Sequence, residues 1–232
     1  MHYSGCLICG QDLLYLEKEE QGQCFLCKKT FQTKTKCIQH HFICDACHST
    51  HAIENIEQLC LLSLETNPVK LLFLLLENPK IKMHGPEHHF LVPAILLTCY
   101  YNAIKKPELL KEKLIMAKNR AKNILGGFCG FYGTCGAGVG TGIFISIITE
   151  ANPLSKKEWQ LAHFITSQSL NKIGHHGGPR CCKRNTFLAL ETAATFLKEE
   201  LEVILPLSPI LCSFSQNNKE CQKKACPYYQ SF

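Results

Sequence analysis

Eight residues of metal-ligand type stand as four close pairs near the start of the chain: Cys6/Cys9, Cys24/Cys27, Cys37/His41 and Cys44/Cys47. Two residues between cysteines let both thiolates turn toward one ion across a tight knuckle, and two such pairs complete a tetrahedron. The four pairs therefore predict two Zn2+ sites. Gly10 follows the first knuckle and frees its turn, so backbone amides can face the sulfurs. His40 competes with His41, which is preferred because its spacing leaves room for a turn before Cys44; His48 and His51 could substitute or cover the site. Spacing does not decide whether sequential or alternating pairs share an ion. Such a module braces a domain, binds protein or binds nucleic acid. Few aromatics and arginines accompany its basic residues, so nucleic acid is the minority partner.

The later cysteines are less regular. Cys60 and Cys99 fall on apolar helical faces, where small buried hydrophobes are expected. Cys129, Cys135, Cys181, Cys182, Cys212, Cys221 and Cys226 lie beside glycine, proline or turn residues, where backbone can fold around a cofactor. Cys212, Cys221 and Cys226-Pro227 place three thiols near a terminal Cys-Pro, which points to an iron–sulfur (4Fe–4S) cluster, with a third zinc site as the rival. Cys129 and Cys135 are further cofactor-binding candidates. The run from Gly177 to Asn185 opens the last long helix. Helix amides, Arg180, Lys183 and Arg184 favour anions there and predict lowered thiol pKa values for Cys181 and Cys182. Adjacent cysteines point about 100° apart on a helix, so one is expected to ligate while the other faces substrate. His175 and His176 precede them, and His84, His88 and His89 surround the start of another helix. His88, His89, His175, His176, Arg180 and Arg184 are thus candidate pocket or catalytic residues toward a small-molecule substrate.

Sixteen cysteines without an export signal predict a reducing, cytoplasmic setting in which thiols hold metals; a disulfide framework is the alternative. The net charge of +6 is mild and comes mostly from scattered lysines. The uncharged stretch Ile124 to Thr149 is long enough to span a bilayer, but eight of its positions are glycine. A buried segment of a soluble core, with no membrane contact, is expected.

These residues need positioning elements. Leu13 to Leu16 and Lys29 to Phe31 predict the two arms of a hairpin. From His51 the pattern turns helical: Ile53, Ile56, Leu59, Cys60 and Leu64 recur at three- and four-residue steps. Further helices are expected from Pro68 to Glu77, Glu87 to Ala103 with a kink at Pro93, Glu108 to Leu125, Cys135 to Thr149, after a Ser155/Glu158 capping box, and from Cys181 to Glu202. The class is mainly α: a small zinc-ribbon or treble-clef-like module over 1–51, then an all-α domain over 52–232. Gly136/Gly140 and Gly138/Gly142 would form two small-residue stripes on a central helix. The rival for that run is a glycine loop of a SAM-dependent methyltransferase, which should follow a buried strand. Phe128 to Tyr132 makes a poor one.

The stretches CLICG (6–10), HHFICDACH (40–48), MHGPEHH (83–89), CGFYGTCGAGVGTG (129–142), GPRCCKRN (178–185) and CPYY (226–229) together resemble an uncharacterised cysteine-rich family of anaerobic archaea and bacteria. That resemblance implies no activity, although some relatives carry a methyltransferase label. A local similarity links Cys181, Arg184 and Asn185 to iron–sulfur L-serine dehydratases and cysteine desulfidases. It implies a helical domain holding a cluster with an open iron, and lyase or sulfur-transfer chemistry. The chain departs from those enzymes in being much shorter and in lacking a second cysteine about ten residues before Cys181.

Overall fold

The computed structural model describes residues 5–230. The hairpin is longer than its apolar residues foretell: β1 (Leu13–Gln23) pairs antiparallel with β2 (Thr30–Cys37). Leu13 faces Cys37 at the open end and Gln23 faces Thr30 at the turn. A bulge between Tyr15 and Glu20 absorbs the extra residues of β1. Polar side chains dominate both arms, so period-two apolar alternation could not show their length.

Eight α-helices follow among the described residues, and the protein is mainly α. α1 (Asp45–Leu62) starts earlier than the apolar pattern does, because Cys44 and Cys47 already sit on its first turn. It runs unbroken through positions 51 and 52, so the last ligand pair and the helical core share one rod. Leu64 falls beyond its end and is exposed, unlike Ile56 and Cys60. α2 (Pro68–Leu76) begins as proline predicts, and Asn67 caps it by accepting from the amides of Val69 and Lys70 at 3.0 and 3.2 Å.

α3 (Glu87–Ala103) continues through Pro93, and thirteen of its seventeen residues are buried, so it is enclosed on all sides. A 3-10 turn at Pro107–Leu109 leads into α4 (Leu110–Ala121), and α5 (Phe128–Phe131) is a single turn where a strand would have been needed for a cofactor loop. α6 (Gly136–Ile148), α7 (Lys157–His175) and α8 (Cys182–Leu201) complete the set. The capping box does not form at α7. The Ser155 hydroxyl instead accepts from the Asn152 amide at 3.0 Å, closing the preceding Asn-Pro turn, and Lys156 stands at the cap.

α6 lies between α3 and α7 and also meets α4 and α8. Its glycines explain the approach. A Cβ on Gly136 or Gly140 would collide with His89 or with Val92 and Pro93 of α3. One on Gly138 or Gly142 would collide with Leu170 or Thr166 of α7. The two stripes therefore serve two different neighbours. The run is a buried helix, and the sheet that a methyltransferase loop requires is absent among the described residues. No helix among them is long and apolar enough to cross a membrane.

Candidate metal centres

The four N-terminal pairs converge as two tetrads. The ligand atoms of Cys6, Cys9, Cys37 and His41 all lie within 4.8 Å of one another, as do those of Cys24, Cys27, Cys44 and Cys47. Metal–sulfur bonds of about 2.3 Å set tetrahedral edges of about 3.8 Å. Cys9 Sγ to Cys37 Sγ is 3.8 Å, Cys27 Sγ to Cys44 Sγ is 3.8 Å, and Cys6 Sγ to His41 Nδ1 is 3.9 Å. Both tetrads can thus hold a metal ion such as zinc. His40 lies outside the first set, its backbone in the left-handed turn (φ 60°) that brings His41 round.

The pairs alternate: the first joins the third and the second joins the fourth. Hairpin geometry dictates this. At the open end, Ile38 donates its amide to the Asp12 carbonyl at 3.1 Å, setting the first knuckle beside Cys37. The turn carries Cys24 and Cys27, and Phe25 N donates to Phe42 O at 2.8 Å, drawing in the segment before Cys44. Amides converge on the sulfurs: Ile8 on Cys6, His41 on Cys37 and Cys44 on Cys24, at 3.3 to 3.4 Å. Burial opposes ionisation of Cys24, but the amides of Cys27, Cys44 and Leu26 prevail and lower its pKa to about 6.

A different arrangement occupies the C-terminal half. Cys181, Cys212, Cys221 and Cys226 line one small, partly open pocket, walled by Met83, Phe187, Phe214 and Tyr228. Cys181 is the N-cap of α8, and its sulfur accepts from the Arg184 amide at 3.5 Å and from Asn218 Nδ2 at 3.6 Å. Two 3-10 turns, Ser215–Asn217 and Lys223–Ala225, deliver Cys221 and Cys226. Cys212 N donates to Tyr228 O at 2.9 Å, which ties the two ends of the tail together. Tyr228 pins that tail to α8: its hydroxyl donates to Glu191 Oε2 at 2.8 Å and its ring meets Phe187 edge-on. These four sulfurs are more widely spread than the tetrads, since no other group among the described residues gathers within 4.8 Å.

Of the remaining candidates only Arg184 lines this pocket. His88 is buried, with Nδ1 3.3 Å from Thr186 Oγ1 and Nε2 3.1 Å from Lys82 O. His89 Nδ1 donates to Ile124 O at 2.8 Å, and the exposed His175 bonds Asn171 O within its own helix at 2.9 Å. His176 ends α7 and offers its carbonyl to Gln222. The shared histidine pocket therefore does not assemble, because each ring or backbone is engaged locally. Arg184 reaches Gly177 O at 2.7 Å, Asn185 Oδ1 at 3.3 Å and Gln222, knitting the loop before α8 to the tail. Arg180 instead stacks over Tyr15 of the hairpin, 5.2 Å from its centroid.

Cys129 and Cys182 each lie within electrostatic reach of Cys135, outside that pocket, and Asn185 Nδ2 contacts Cys135 Sγ at 3.3 Å. The expected thiol activation fails at Cys181 and Cys182. Burial pushes both upward and outweighs Arg184 and Arg180 respectively. Among the described residues every cysteine is a free thiol.

The model of a family of unknown function, DUF5714, matches residues 56–229. The chain belongs to this family. The matched stretch begins inside α1 and contains all four pocket cysteines, whereas both tetrads precede it. No curated protein and no solved structure matches the chain, so no comparison shows a similarity to L-serine dehydratases. Asn218, Gln222, Met83 and Lys183, with Arg184 and Ser215, complete the pocket. The first three carry no spacing signal in the sequence, and Lys183 reads there only as one of three basic residues.

Proposed function

We propose that this DUF5714 member is a one-electron redox protein of a reducing compartment, with zinc in both tetrads and an iron–sulfur cluster on Cys181, Cys212, Cys221 and Cys226. The observation that carries it is the pocket with four cysteines whose sulfurs stand farther apart than a single ion requires. A four-iron cluster separates its thiolates more than zinc does, and four cysteines can ligate all four of its irons. When bound, the cluster supplies one-electron transfer. The chain's own contributions support that role. Asn218 donates to the Cys181 sulfur, and the amide of Lys223 donates to the Cys221 sulfur at 3.3 Å. Such hydrogen bonds to sulfur favour the thiolate and tune a cluster. Met83, Phe187, Phe214 and Tyr228 give the pocket an apolar wall.

Anaerobic purification with metal analysis tests this. Roughly four irons per chain with a visible charge-transfer band is the expected result. Zinc alone would overturn it.

One observation favours a second proposal. Cys181 Sγ contacts Asn218, whose Oδ1 lies 3.1 Å from His84 Nε2, with Glu220 Oε2 equally close to that nitrogen. If Cys181 faces substrate, three cysteines leave an open iron, and elimination or sulfur transfer on a small molecule becomes the work. Cys181→Ser separates the two: cluster loss supports four ligands, and an intact cluster supports the open site.

A further inference from the structure

Lys183 has the most unusual setting of any charged residue here. Its relative exposure is 0%, and its Nζ has no hydrogen-bond partner among the described residues. It lines the pocket of the four cysteines and lies 4.2 Å over the Phe214 ring centroid. Arg184, one residue on, has its guanidinium engaged by backbone and amide oxygens. The buried carboxylate Glu87 differs too, because His48 sits 3.5 Å from it and the Lys82 amide donates to it at 3.0 Å. A cation–π contact offsets only part of the cost of removing an ammonium from water. The chain thus retains an ammonium with no hydrogen-bonded partner at the wall of one cavity; the carboxylate of Glu87 attracts it from a distance, as would Cys181, Cys182 and Cys212 when ionised.

We infer that Lys183 is a positioning residue, the built-in counter-charge of the iron–sulfur site, and that it raises the reduction potential of the cluster. This inference rests on the function proposed above. Four thiolates around an oxidised four-iron core carry a net charge of roughly −2, and one more electron makes it more negative. A nearby ammonium in a dry wall stabilises the reduced form more than the oxidised one. The same residue is a burden when the pocket lacks its anion, so the two states of the protein should respond oppositely to its removal.

The test uses the full chain and K183M, which keeps the stem and removes the charge. Both are reconstituted anaerobically with iron and sulfide, then titrated with dithionite through mediator dyes. Equal iron content is expected, with the K183M potential lower by at least a tenfold shift in the reduction equilibrium, about 59 mV for one electron. The metal-free pocket should respond the other way, with apo K183M melting above apo wild type. K183Q, which keeps N–H donors without the charge, reads the same potential shift if K183M fails to reconstitute. An unchanged potential in the variants, or a lower melting point for apo K183M, overturns the role of Lys183 and leaves the cluster standing. A wild-type chain that takes up no iron overturns the proposed function itself.

Discussion

The two cysteine-rich regions solve opposite problems. In the N-terminal module each sulfur is held by a short turn, with two or three residues between the members of each pair and amides aimed at the thiolates. Little apolar core supports it: Leu7, Leu14, Phe25, Leu26 and Ile38 are all exposed. In the C-terminal pocket the cysteines come from positions as far apart as 181 and 226, and they meet because α8, Phe187 and Tyr228 belong to the main core. One region is organised by what its ligands bind, and the other by the packing beneath it. Metal dependence should therefore differ sharply between them.

The largest effect should come from chelation. Structural zinc contributes about 10–16 kcal/mol of apparent binding free energy in small modules. Stripping metal should open residues 5–44 to protease while the helical far-UV signal persists. Collapse of the whole helical domain would erase the contrast. Single substitutions sharpen it. Cys37→Ser should halve the tetrad metal content, whereas Cys226→Ser should leave it unchanged and abolish iron uptake, both read by elemental analysis.

A packing defect should show the reverse pattern. In Gly140→Ala the new Cβ would sit 2.9 Å from Pro93 Cδ and 3.1 Å from Val92 Cβ. Overpacking of this kind costs about 1–3 kcal/mol, to be read from urea midpoints, with zinc content unaltered. Zinc loss in that variant would mean that the two regions fold as one unit.

The smallest effect concerns pH. Burial drives the pKa of His88 down to about 3, so the folded chain keeps it neutral while the unfolded chain protonates it near its ordinary value of about 6.5. Its contribution is present above 6.5 and is lost as the pH falls toward 3, at about 1.4 kcal/mol per pH unit. Urea midpoints at pH 7 and pH 5 should diverge less in His88→Gln than in wild type. Equal divergence would place the acid sensitivity elsewhere, the tetrad thiolates first among the candidates.

Legibility followed the same division. The extent of α3 was visible because a dense apolar run, Phe90 to Leu97, follows the turn at Gly85-Pro86, and Pro68 marked the start of α2. The glycine pairs predicted two close approaches, though only the folded chain shows that one serves α3 and the other α7. The Ser155 box misled because a hydroxyl can close a turn as readily as cap a helix. The histidines misled because five polar rings near glycines look available until backbone carbonyls are placed beside them.

Sequence alone determined the local matters: eight ligands in four pairs, a mainly helical body, and cysteines left over in the tail. Two-residue spacings suffice for that, since a knuckle is formed by its own turn. The tertiary structure decided everything that joins distant segments. It set the alternation of the pairs along the hairpin, the meeting of Cys181 with Cys212, Cys221 and Cys226, and the enclosure of Lys183 beside them. Those outcomes depend on long loops closed by packing, and the free energy of such closures comes from core contacts that no local spacing encodes.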